Sequence, residues 1–166
     1  SRADEDPTIV RQMPQFEDCV THVEFRRGPE GWVAERGMLA AVPPVAEADY
    51  HAMTLGLRDY LGKSGFSKVV LGLSGGIDSA LVATIAADAL GPENVHCVML
   101  PSRFTSAHSL EDAADCAARL GCRLDTIPIS GPQAAVGAAL APLFAGTEAG
   151  VTEENIQSRL RGLLLM

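Results

Sequence analysis

The sequence lacks the features that would send it to a membrane, a structural metal or a nucleic acid. It has no run of about 18 uncharged apolar residues, so no segment is suited to crossing a bilayer as a helix. Its opening "SRADEDPTIV" has no apolar centre of the kind a secretion signal needs. The four cysteines, Cys19, Cys97, Cys116 and Cys122, form no CxxC pair and have no histidines at zinc spacing. They read as buried thiols of a reducing compartment, which makes a cytoplasmic location the default expectation. Lysine and arginine total 13 against 21 acidic residues, a net charge of -8, and the basic residues are scattered. That argues against a broad nucleic-acid surface while leaving room for a small basic site. Internal repeats and low-complexity tracts are absent as well.

What is present is enough apolar material for one domain with a core and part of a second: 166 residues, 47% of them hydrophobic. Residues 1 to 46 have little core of their own. Within them "CVTHVEFRRGPEGWVAERG" alternates around a Gly-Pro-Glu-Gly turn and predicts a hairpin, and "AAVPPVAEAD" reads as a proline linker. From Asp49, a possible cap, Tyr50, Met53, Leu57, Tyr60 and Leu61 recur at helical spacing as far as "GKSG". Strand "KVVLGL" follows, then a helix from Ser79 to Leu90 stopped by Gly91-Pro92, and strand "NVHCVML". After these come a helix from Ser109 with Asp112 placed for a capping box, strand "CRLDTIPI", and helices "PQAAVGAALAPLF" and "TEENIQSRLRGLLLM", the last capped by Thr152. Short apolar strands alternating with helices imply an α/β fold, a doubly wound parallel sheet covered on both faces. The sequence stops at Met166 in mid-helix, which suggests a sequence cut short and a leucine-rich helix face without its partner surface.

The most informative stretch is "VVLGLSGGIDSALVATIAADAL". In an open α/β sheet, ligands sit beyond the carboxyl ends of the strands, so the loops after "KVVLGL" and "NVHCVML" should border one crevice. Gly75 and Gly76 let backbone approach a ligand, Ser74 and Ser79 offer hydroxyls, and the amides of a helix starting near Ile77 favour an anion. The loop has neither the lysine of a Walker A motif nor a GxGxxG fingerprint. In place of the lysine it carries Asp78. A carboxylate about 4 Å from a phosphate is repelled by roughly 4 kcal/mol at an effective dielectric near 20, so the arrangement calls for a bridging cation such as magnesium.

"SGGIDS" resembles the pyrophosphate-loop motif of the N-type ATP pyrophosphatases, which cleave ATP to AMP and pyrophosphate. Together with "MLPSRFTSAHSLEDA" and "TEENIQSRLRG", residues 47 to 166 resemble successive blocks of the glutamine-dependent NAD synthetases. That resemblance implies an adenine nucleotide alpha hydrolase-like fold, incomplete at its C-terminal end. It also implies ATP-dependent amidation of deamido-NAD (nicotinate adenine dinucleotide) to NAD through an adenylated intermediate. By the same resemblance Gly72, Leu73, Ser74, Gly75, Gly76, Ile77, Asp78 and Ser79 hold ATP, Asp78 also binds Mg2+, and Asn155 and Arg159 meet deamido-NAD. No catalytic side chain is assigned. Asn155, Arg159 and Gly162 share one helical stripe, beside an apolar one of Ile156, Leu160, Leu163 and Leu164.

The family further implies an upstream amidase domain of the nitrilase type, of which residues 1 to 46 would be the end plus a linker, with Cys19 not its nucleophile. Ammonia would come from glutamine or free ammonium. The expected partners are these small molecules in a homo-oligomer, with no nucleic acid and no membrane. Arg103 is a weaker candidate for neutralising phosphate, while His108 reads as a solvated loop residue and Ser109 as a cap. Rival readings are another pyrophosphate-loop ligase, such as a guanylate or asparagine synthetase or a tRNA-modifying thiolase, and a non-catalytic adenine-nucleotide-binding module. The acidic charge and missing CxxC disfavour the thiolase, and "ENIQSR" the other ligases.

Overall fold

A computed structural model describes residues 9–146 and 150–166, and the chain divides into two compact units, Ser1–Ala52 and Met53–Met166. In the first unit the expected hairpin forms: β1 (Phe25–Gly28) pairs antiparallel with β2 (Gly31–Ala34), with Gly28 opposite Gly31. Gly31 closes the turn at φ +132°, where an L side chain would be strained. A parallel bridge joins Gln12 to Leu39, with the Gln12 amide donating to the Met38 carbonyl (3.1 Å) and the Ala40 amide to the Gln12 carbonyl (3.0 Å). None of the unit's described residues is buried, and Phe25, Trp32 and Val33 stand exposed.

Helix α1 (Val45–Ser64) corrects one expectation, because it begins before Asp49 and takes up the second half of the segment read as a linker, leaving residues 40–44 outside regular secondary structure. The Ala48 amide donates to the Pro44 carbonyl at 2.9 Å, so Pro43-Pro44 leads straight into the helix. Proline at a helix entry forfeits no hydrogen bond, since first-turn amides have no intrahelical partner.

The second unit is built on a parallel sheet of β3 (Val69–Gly72), β4 (Val95–Met99) and β5 (Arg123–Thr126), in the order β3-β4-β5. The crossovers that parallel strands require are α2 (Ile77–Leu90) and α3 (Ala107–Leu120). Helices α4 (Ser130–Leu140) and α5 (Val151–Leu165) follow β5. Along β4 the side chains alternate. Val95 and Cys97 join a core with Leu73, Ala83 and Ala86 of α2, and Ala113 and Ala117 of α3, whereas Val98 joins Leu100 and Ile129 against Leu164 and Leu165 of α5. The alanines explain the close approach of α2 and α3 on one face; the other is covered only toward its C-terminal end, by α5, and Val70 stays 47% exposed there, so the expected cover on both faces is partial. Burial and the neighbouring Cys122 and Cys116 push the Cys97 thiol up to about 11, so it packs as a neutral side chain.

The starts of α3 and α5 also differ from expectation. The cap of α3 is Ser106, whose hydroxyl accepts from the Ser109 amide at 3.1 Å, while Asp112 pairs with His108 Nδ1 at 2.7 Å instead of closing a capping box. His108 therefore lies in the first turn of a helix and not in a loop. At α5, Thr152 is inside the helix. The helix opens at Gly150, whose amide donates to the Glu153 carboxylate, and that contact holds the Glu153 carboxyl below the usual range. The expectation that the leucine-rich helix has no partner surface is also overturned, because Leu160 is buried and Leu164 and Leu165 pack on the sheet. Only Leu163 of that expected apolar stripe is markedly exposed, at 62%.

Across β4 and β5, His96 Nε2 lies 2.7 Å from Asp125 Oδ2, and Arg123 Nη2 donates to the same oxygen at 2.6 Å. Hydrogen bonding to His96, and then to Arg123, holds the Asp125 carboxyl below the ordinary carboxylate range. A carboxyl depressed by folding adds stability above its unfolded value, about 3.9, and loses it as pH falls through the folded value. The gap in urea midpoint between wild type and Asp125→Asn should be open at about pH 5 and close as the pH drops below about 4. A gap that does not vary with pH would show that the carboxylate's charge is irrelevant there.

Candidate functional site

At the carboxyl end of the sheet the parallel ladder continues past β3, with the Leu73 amide donating to the Val98 carbonyl at 2.9 Å. This fixes the start of the glycine loop against β4. Gly75 then takes φ +84°, and a Cβ there would run into the carbonyl oxygen of Ser109, in the first turn of α3. Glycine at this position is thus required twice, by conformation and by space.

The two loop serines stabilise the turn from within. Ser79 Oγ donates to the Gly76 carbonyl (2.9 Å) and accepts from the Ser74 amide (3.2 Å). Ser74 Oγ lies 3.0 Å from Ser79 Oγ and accepts from the Gly76 amide at 3.3 Å. Since a hydroxyl has one proton, Ser79 spends its own on Gly76 and must accept from Ser74, so both hydroxyl protons are committed. Helix α2 starts directly after Gly76, with no side-chain cap, and its first-turn amides remain available to an anion.

A cavity of about 520 Å3 opens beside this loop. It is lined by Gly72, Leu73 and Ser74 at the end of β3, by Val98, Met99, Leu100, Pro101 and Thr105 at and after the end of β4, by Ser109 and Leu110 of α3, and by Arg161 and Leu165 of α5. The volume is that of a small-molecule site, largely apolar with a few polar groups. The expected crevice between the two loops is therefore present.

The remaining residues singled out in the sequence are placed as follows. Ile77 and Asp78 are exposed in the first turn of α2, and Asp78 has no ion-pair partner among the described residues. Asn155 and Arg159 are exposed on α5 and do not line the cavity. Arg103 lines a separate cavity of about 330 Å3 with Gln133, Glu153 and Ile156, its guanidinium 4.6 Å from the centroid of the Phe104 ring. Among the described residues no group of three or more His, Cys, Asp or Glu side chains is arranged to hold a metal ion. Sequence reasoning missed Arg161, which among the described residues is the one charged residue in the wall of the larger cavity. The signal was there: Arg161 and Leu165 are one turn apart and share a face that neither Asn155 nor Arg159 occupies.

The NAD synthase family model matches residues 49–166. The chain belongs to the NAD synthase family. It is 65% identical over 161 residues to a glutamine-dependent NAD(+) synthetase of Rhodobacter capsulatus, a match covering 97% of this chain and 29% of that protein. Its fold superimposes with a TM-score of 0.81 on a glutamine-dependent NAD+ synthetase from Acinetobacter baumannii solved with ADP, at 41% identity over 87% of this chain and 27% of the other. An NH3-dependent NAD synthetase from Campylobacter jejuni, solved with a nitrate ion, matches at TM-score 0.65 and 32% identity, covering 74% of this chain and 51% of that one. These neighbours place the sheet in the adenine nucleotide alpha hydrolase-like fold. The chain spans less than a third of the length of the curated relatives just described.

The glycine loop of this NAD synthase family member makes a direct prediction. Gly75→Ala should destabilise the protein by more than about 1 kcal/mol, because the new methyl both strains the backbone and strikes Ser109. Gly56→Ala, in the middle of α1 with open space around it, should stabilise by about 0.5–1 kcal/mol. Urea melts of both variants check this. Equal effects would show that the loop relaxes around the added methyl.

Proposed function

We propose that this chain is part of a ligase that converts deamido-NAD to NAD with ATP, and that the cavity beside Gly72–Ser74 receives the nucleotide. The observation that carries the proposal is the glycine loop opening onto the same cavity as the loop after β4, in a chain of the NAD synthase family. Support comes from the ADP held by the Acinetobacter relative, and from the start of α2 directly after Gly76 with no side-chain cap, which leaves first-turn amides open to an anion.

In the proposed reaction an oxygen of the nicotinate carboxylate attacks the α-phosphorus of ATP, and the bond from that phosphorus to the bridging oxygen breaks to release pyrophosphate. Ammonia then attacks the acyl carbon, AMP leaves with the bonding electron pair, and loss of a proton completes the amide. The chain's part is alignment and charge stabilisation. Gly75 and Gly76 bring backbone close to the phosphates, and the first-turn amides of α2 donate to the oxygens on which charge accumulates. Because the two serine hydroxyls hold the loop in shape, little reorganisation is needed when charge develops.

The donor set fits magnesium in kind. Asp78 offers one exposed carboxylate at the start of α2, without an ion-pair partner among the described residues, and Mg2+ is ordinarily held by one or two carboxylates together with phosphate oxygens and water. When bound, the ion would neutralise charge on the polyphosphate. Asn155 and Arg159, exposed on α5, are offered to deamido-NAD as the resemblance in "ENIQSR" implies. We assign residues 1–46 to the end of an upstream amidase domain and its connection, and 47–166 to the N-terminal part of the synthetase domain. The names of the glutamine-dependent relatives support this, with ammonia supplied from glutamine or taken up as ammonium. The partners are then small molecules. A net charge of -8 disfavours a nucleic-acid partner, and no helix among the described residues is long and apolar enough to cross a membrane.

The complete polypeptide, given Mg-ATP, deamido-NAD and ammonium, should form NAD, AMP and pyrophosphate in equal amounts. Asp78→Asn should keep the fold and lower that rate by about 100-fold or more. Release of ADP in place of AMP would refute the reaction, and wild-type turnover by Asp78→Asn would refute the metal assignment.

A further inference from the structure

The glycine loop, residues 72–79, carries no lysine or arginine, yet the proposed ligand is a polyphosphate. With the hydroxyl protons of Ser74 and Ser79 committed to the loop itself, what remains at β3 and α2 is backbone amides and the carboxylate of Asp78. On the other loop Thr105 Oγ1 accepts from the Ser102 amide at 3.0 Å and Ser109 Oγ lies 2.9 Å from Ser106 Oγ, which orients these hydroxyls, but they carry no charge. Among the described residues the one charged side chain in the wall is Arg161.

Arg161 is half-buried, and its Nε donates to the Leu100 carbonyl at 3.2 Å. No other hydrogen bond or ion pair engages its guanidinium among the described residues, so the four N–H groups on its terminal nitrogens have no protein partner. The tie to Leu100 orients the planar group. One turn further along α5, Leu165 packs on the sheet and lies close to Gly72, so the arginine is carried on a helix fixed at the same end of the sheet as the glycine loop.

We propose that Arg161 supplies the positive charge that the glycine loop lacks, its terminal N–H groups contacting the phosphates of the nucleotide in the cavity. This rests on the assignment of that cavity to ATP and adds a residue to it. A partly buried guanidinium, oriented by a hydrogen bond and free on its outer edge, is suited to forked recognition of phosphate oxygens. In a protein of net charge -8 it also provides a local attraction for an anion.

The test is nucleotide binding by the complete polypeptide, measured calorimetrically for AMP, ADP and ATP in magnesium. Wild type should bind ATP more tightly than AMP. Arg161→Gln should shrink that ATP-to-AMP ratio by about tenfold or more, the equivalent of about 1.4 kcal/mol, and Arg161→Lys should restore most of it. If Arg161 only braces Leu100, all three nucleotides will weaken alike and the ratio will stay at its wild-type value, which overturns the proposal. A measurement on wild type needs no variant to fold: ATP, but not adenosine, should protect Arg161 from modification by phenylglyoxal, with exposed Arg159 as the internal comparison. Equal protection by adenosine also overturns it. If wild type binds none of the three nucleotides, the assignment of the cavity fails along with the proposal; if it binds them and the ratio does not change, only the role of Arg161 fails.

Discussion

Strand β4 is hydrogen-bonded on both sides, and the geometry of the site follows from that constraint. Pairing does not stop at the strand ends. The Leu73 amide reaches the Val98 carbonyl, the Ile127 amide the Met99 carbonyl (2.8 Å), and the Ile129 amide the Pro101 carbonyl (2.9 Å). The loops leaving β3 and β4 are thereby set beside each other before either turns into its helix. On the face opposite α2 and α3, Val98, Leu100 and Ile129 receive Leu164 and Leu165, which fixes α5 at the same end of the sheet. Two loops and one helix converge on a single cavity because one central strand is paired and buried.

Glycine converts that convergence into a site. A side chain at position 75 would separate the loop from the first turn of α3, because the Ser109 carbonyl occupies the space that a Cβ needs. Once the loop is closed, its serines saturate their own hydrogen bonds and leave backbone amides at the start of α2 as the donors facing outward. Such donors are fixed in advance, which is how an enzyme stabilises developing charge without paying for reorganisation during the reaction. They carry no net charge, however, and a cation has to come from elsewhere: a metal at Asp78, and Arg161 of α5.

Much of this was legible in the residues. The short apolar run "NVHCVML" and the glycines and serines after "KVVLGL" are local signals, and local chemistry determines strands, turns and positive φ values. The helix starts were misplaced where two neighbouring residues could each serve. Ser106 and Ser109 both offer a hydroxyl, and the backbone beyond β4 decides in favour of Ser106. Pro43-Pro44 reads in the sequence only as part of a linker, and the bond from the Ala48 amide to the Pro44 carbonyl places it at the helix entry. Arg161 escaped notice for a different reason: its significance depends on the Leu100 carbonyl, which is distant in sequence and is brought near by packing on the sheet. Asn155 and Arg159 are read from the "ENIQSR" resemblance and a shared helical stripe, and the cavity wall does not include them.

The central claim is that the cavity beside the glycine loop binds ATP for attack at its α-phosphorus by deamido-NAD. Isotope exchange measures that step alone. With the complete polypeptide, Mg-ATP and labelled pyrophosphate, label should enter ATP only when deamido-NAD is present, and without ammonia. Label entering ATP in the absence of deamido-NAD, or failing to enter in its presence, would contradict the account.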